Sequence, residues 1–164
     1  MTRFKNARKD AFIEAIATAS IDAADDRLTE KCKFNFAYFH VQEASQAFED
    51  WSGAQLAKLL NKLTEYSKQP LAHWKTTSVG KSGTVLSIYG AFPTKSDFSH
   101  PKHVPHQAEW GRFRLESAVR LVGFVVPHSH HEKRHPATNH PFDCNTFYVV
   151  FLDKDHKFYK TESA

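Results

Sequence analysis

The spacing of apolar positions changes several times along this chain of 164 residues, and each change predicts an element. Over residues 52–66, Leu56, Leu59, Leu60, Leu63 and Tyr66 fall at i, i+3, i+4, i+7 and i+10, the spacing of one helix face. Ser52 followed by Gln55 makes a capping box at its start, and Lys68 and Pro70 mark its end. The leucine stripe reads as core rather than as a cofactor box. Residues 33–40, KFNFAYFH, alternate instead, with Phe34, Phe36 and Tyr38 on one side, and predict a strand. TVLSIY at 84–89 predicts another. In GRFRLE at 111–116, Arg112, Arg114 and Glu116 alternate with Phe113 and Leu115. A tight turn at Ser117-Ala118 then leads into VRLVGFVV, a strand over 119–126. TFYVVFL at 146–152 is the most apolar run and is expected to be the buried central strand, flanked by 119–126.

The first thirty residues carry a weaker, alanine-rich pattern. Asp10 would cap a helix with Phe12, Ile13, Ile16 and Ala17 on one face and Ile21 a turn beyond. This extension is read either as a helix docked on the domain or as a partner-binding arm. KTTSVGKSG at 75–83 reads as a turn broken by Gly80 and Gly83, and its GKS lacks the spacing and preceding strand of a phosphate-binding P-loop. Residues 90–108 and 127–145 read as long loops rich in Pro and His. The expected order is α–β–α–β–β–β–β. It predicts an α+β fold: helices packed on a small, twisted, mainly antiparallel sheet. The chain divides into an N-terminal helical extension at 1–30 and a single domain at 31–164.

Charge adds a direction to this outline. The net charge is +4, and Asp22, Asp25, Asp26, Glu30, Glu43, Glu49 and Asp50 crowd the first third. From Trp51 onward bases outnumber acids, and ten of the eleven histidines lie there. That balance points toward a polyanionic partner, against the alternative of a solvated basic surface. Cys32 and Cys144 form no CxxC pair, and both are read as reduced thiols. MTRFKNARKDAFIEAIATAS holds no apolar run of signal-peptide or membrane-span length, so the expectation is a cytoplasmic protein without a membrane partner.

Three groups of residues could carry chemistry. Arg112 and Arg114 share one side of a strand, and Arg120 faces them across the hairpin. Like charges held together on a sheet face are destabilising unless an anion such as a phosphodiester compensates them. The alternative is an outer face neutralised by Glu109 and Glu116. The second group is D-K-D-H-K-F-Y at 153–159. There His156 could move a proton near neutral pH, Lys154 and Lys157 could hold phosphate, and Tyr159 could stack on a base. The alternative is a polar turn after a buried strand. The third group is the histidines of the loops: His100, His103 and His106 at intervals of three, and His128, His130, His131, His135 and His140. Prolines 101, 105, 127, 136 and 141 break any helix that would align them, so no functional metal is expected.

GRFRLESAVRLVGFVV followed by NTFYVVFLDKDHKFY resembles the C-terminal half of RelE-type endoribonuclease toxins. The order basic strand, turn, Arg-Leu strand, hydrophobic strand, then His and Tyr is similar. The resemblance extends over residues 110–160 in motif and 33–160 in topology. It implies cleavage of mRNA, commonly on the ribosome, without a cofactor, and inhibition by an antitoxin protein. By the same resemblance Arg112 and Arg114 would be the paired basic positions and Arg120 the residue on the scissile phosphate. His156 would be the proton carrier and Tyr159 the stacking aromatic. The loops at 90–108 and 127–145 and the first thirty residues are extra to that pattern. Independently of any family, attack of a ribose 2′-OH on its own phosphate needs a base, an acid and positive charge, which Arg and His can supply. Glu109 and Glu116 are spare candidate bases. Two other classes compete: a non-catalytic RNA-binding module using the same residues, and a protein-interaction adaptor using the 52–66 helix or the N-terminal arm.

Overall fold

The structure is a computed structural model that describes residues 6–16 and 20–160. It is α+β, with a mixed five-stranded sheet and a separate two-stranded hairpin. In chain order the elements are α1 (Ala7–Glu14), β1 (Lys33–Asn35), α2 (Gly53–Tyr66), α3 (Leu71–Thr76), β2 (Ser78–Val79), β3 (Gly83–Thr84), β4 (Leu86–Gly90), β5 (Glu109–Glu116), β6 (Val119–Val125) and β7 (Thr146–Asp153). The sheet runs β1-β7-β6-β5-β4. β1 is parallel to β7, and every other neighbouring pair is antiparallel.

Both faces of this sheet are covered, which explains why β6 and β7 are apolar almost throughout. On one face Phe113, Leu121, Val149 and Leu152 pack against Leu59 and Tyr66 of α2 and Leu71 and Trp74 of α3. On the other, Trp110, Val122, Phe124, Val150 and Phe151 lie under Phe92, Phe98 and Val104 of the 91–108 segment, with Tyr38 and Phe158. The long loop of the sequence is thus a second layer without regular structure. A bulge puts Val122 opposite Phe151 and Gly123 opposite Val149. At Gly123 a Cβ would sit 2.0 Å from the Tyr148 carbonyl oxygen, so the bulge excludes every side chain there.

Several expectations need correction. β7 is buried and flanked by β6, but the middle strand is β6. The 33–40 strand stops at Asn35, because the Asn35 side chain accepts the Ala37 N–H and turns the chain off the sheet. The capping box of Ser52 and Gln55 is present as expected, yet Leu60 of the stripe is exposed. The 75–83 turn contains the end of α3 and the β2–β3 hairpin, neither of which was expected. In the extension, α1 spans only Ala7–Glu14; Asn6, not Asp10, accepts at its N-cap, and no α1 residue is buried. Phe12, Ile13, Ile16 and Ile21 are exposed, so α1 is not docked on the sheet; Ala17 lies outside the described residues.

Candidate functional site

The site begins with strand geometry. Side chains alternate along β5, so Phe113 and Leu115 enter the helix-side core while Arg112 and Arg114 point to the opposite face. Register then sets the neighbours: Arg114 pairs with Arg120 of β6, and Arg120 with Asp153 of β7. Arg112, Arg120, His156 and Tyr159 converge on one closed crevice, too narrow to admit a water molecule, whose other walls are Tyr89, Val122, Asp153 and Phe158. Arg114 lies outside it, one strand over from Arg120.

Arg120 is buried, 6% exposed, and so is not presented on an open surface. The reason is the chain that follows β7: it folds back so that His156, Phe158 and Tyr159 roof the β6 arginine. The Arg120 Nη1 donates to the Ser117 and Val119 carbonyls at 2.6 and 2.9 Å, within its own hairpin, and its Nε has no partner. Burial, then Arg112 and Arg114, bring its pKa down to about 10, against the opposing pull of Tyr89 and Asp153. Arg112 donates to the Tyr89 hydroxyl at 3.1 Å and the Thr84 carbonyl at 3.3 Å. Among the described residues no carboxylate forms an ion pair with Arg112, Arg114 or Arg120.

Asp153 holds the turn that builds the roof. It is 1% exposed, and its two carboxylate oxygens accept the Lys157 and Phe158 N–H groups, each at 2.9 Å. Those bonds close the loop around His156, which adopts the left-handed region at φ 58°. The imidazole is half-buried, and burial first, then Arg120, hold its pKa below the ordinary value; Asp153 opposes them and Arg112 and Arg114 add to the lowering. His156 is therefore a neutral base at pH 7. Tyr159 stacks on Tyr89 with ring centroids 4.5 Å apart and planes 8° from parallel. Neither Tyr89 nor Asp153 was singled out from the sequence. The available signal for Asp153 was an acid set flush against the most apolar run, where only a satisfied carboxylate survives.

The other candidates lie elsewhere. Lys154 is exposed and lines no part of the crevice; Lys157 is half-buried beside it in sequence and pairs with Asp155 at 3.5 Å. Glu116 pairs with Lys58 at 3.3 Å on the helix side, and Glu109 opens β5 at its far end, so neither spare base reaches the crevice. His100 Nδ1 meets the Pro101 carbonyl and its ring packs on Phe92 and Trp110. His103 stacks on Tyr38 and meets its carbonyl. His128 stacks on His131, while His130 and His135 pack on Phe142. Among the described residues no three His, Cys, Asp or Glu side chains come together as a metal site, His106 and His140 included. Among them also, no helix is long and apolar enough to cross a membrane.

No family model, curated protein or solved structure matches the chain.

Proposed function

We propose that the chain is a metal-independent endoribonuclease that cleaves mRNA, a RelE-like toxin held in check by an antitoxin protein. The observation that carries this reading is the buried Arg120 guanidinium, with an orphaned Nε and no carboxylate partner, beside a neutral His156. A buried donor without a partner costs about 1–3 kcal/mol, which a phosphate oxygen would recover once the 154–159 roof moves aside to admit it. His156 takes the 2′-OH proton, the 2′-oxygen attacks phosphorus, and the P–O5′ bond breaks to leave a 2′,3′-cyclic phosphate. Arg112 and Arg120 balance the developing charge. The leaving 5′-oxygen takes its proton from water, and His156 returns the 2′-OH proton to the hydroxide so formed. Two helices packed on one face of a mainly antiparallel sheet support this reading.

A second reading, an RNA-binding module without catalysis, is favoured by how tightly the crevice is roofed. Two variants separate the readings. His156→Ala is expected to keep RNA binding and lose cleavage by about 10²–10⁴. Arg120→Met, which replaces a buried cation by an apolar chain of similar length, is expected to keep the fold and lose about a hundredfold in rate. Wild-type protein that binds RNA in moderate salt yet leaves it intact, free or ribosome-bound, establishes the binding module instead. Binding lost in modest salt returns the adaptor reading.

A further inference from the structure

Arg114 and the β2–β3 hairpin remain outside the crevice. The Arg114 Nη1 lies against both hairpin glycines: a Cβ on Gly80 or Gly83 would meet it at 3.5 Å. Gly80 has φ 67°, so the turn itself demands glycine. Between them stand Lys81 and Ser82, both exposed at the tip. The Arg114 guanidinium makes no hydrogen bond or ion pair among the described residues, and Lys81 makes none either. Glu65 and Glu116 line one groove with Arg114, but they pair with Lys62 and Lys58. Arg112, by contrast, is committed to Tyr89 and Thr84. Two residues along a strand separate the Arg112 and Arg114 Cα atoms by about 7 Å, a step comparable to that between neighbouring phosphates of an extended single strand.

We infer that Arg114 and the β2–β3 hairpin form a second phosphate-binding subsite beside the crevice, so that the protein grips single-stranded RNA through at least two consecutive phosphates. The inference rests on the RNA reading above and adds a length requirement to it. Lys81 adds long-range attraction at the tip.

The test uses the full chain and 2′-O-methylated RNA, which cannot attack its own phosphate, carrying a fluorophore on an uncharged linker. Anisotropy is measured against salt for a dinucleotide, with one phosphate, and a hexanucleotide. Arg114→Ala is expected to weaken hexanucleotide binding about tenfold, to lower the log–log salt slope by about 0.7, and to leave dinucleotide binding unchanged. Lys81→Ala, at an exposed position with no fold to disturb, is expected to shift the hexanucleotide in the same direction by less. Arg114→Lys should restore the salt slope. If both Ala variants leave the hexanucleotide's slope and affinity at the wild-type values, the subsite is excluded while the ribonuclease reading stands. Equal losses on both lengths would place Arg114 in the crevice and also exclude it. A wild-type protein that binds neither length at low salt overturns the RNA reading and the subsite together.

Discussion

His156 is the residue whose environment most constrains the chemistry. Burial and the arginines lower its pKa, so the imidazole protonates only at pH values below those at which an ordinary histidine does. The acid limb of kcat/KM is therefore expected below pH 6.5. Arg112→Gln removes a lowering charge and should move that limb upward. Stability follows the same sign. The unfolded chain binds the His156 proton first, so the contribution is complete above about pH 6.5 and is lost as pH falls toward the lowered folded value. His156→Gln should flatten that part of the stability curve. A limb at or above pH 6.5 that ignores Arg112→Gln would remove His156 from the role of base. The side to which Arg112, Arg114 and Arg120 point was legible in the sequence, because period two leaves no choice. The burial of Arg120 was not, because it depends on Asp153 folding the chain back over β6.

Among the elements, those with several periods of alternation were legible and the short ones were not. β5 and β6 each offer seven or more residues of pattern, and the turn between them falls at Ser117-Ala118 as expected. α3 has six residues and β2 and β3 two each, too few for any period to register. The 91–108 segment could not be read as a layer, since Phe92, Phe98 and Val104 recur at six-residue intervals that match neither helix nor strand. The β6–β7 bulge makes a sharp prediction at this scale. Gly123→Ala drives a Cβ to 2.0 Å from a backbone oxygen and 2.8 Å from the Phe147 ring. It is expected to cost about 3 kcal/mol or more and to lower Tm by about 10 °C in a thermal melt. Gly53→Ala at the first turn of α2, where nothing lies within 4 Å, should leave Tm unchanged or raise it slightly. Equal effects from the two would mean that the bulge is absent in solution.

At the scale of the whole molecule, the sheet is packed on both faces while the extension buries no residue of α1. Removing residues 1–23 is accordingly expected to change Tm by less than about 2 °C, since surface changes alter stability by roughly 0.5 kcal/mol or less. A larger fall would show that the extension docks. The packed sheet also explains why the candidate site is a closed crevice at the Asp153 end of β7: Phe98, Val104 and Phe158 already cover the rest of that face. The most direct measurement is the chemistry of the products. Purified full-length protein is incubated with a defined RNA in EDTA, free and in a translating ribosome, and the fragments are resolved by mass spectrometry. Metal-independent attack by the 2′-OH predicts fragments ending in a 2′,3′-cyclic phosphate, matched by fragments beginning with a 5′-OH, and none from His156→Ala. Intact RNA in both settings, or fragments bearing 5′-phosphates, would contradict the ribonuclease that the Arg112, Arg120 and His156 crevice is proposed to form.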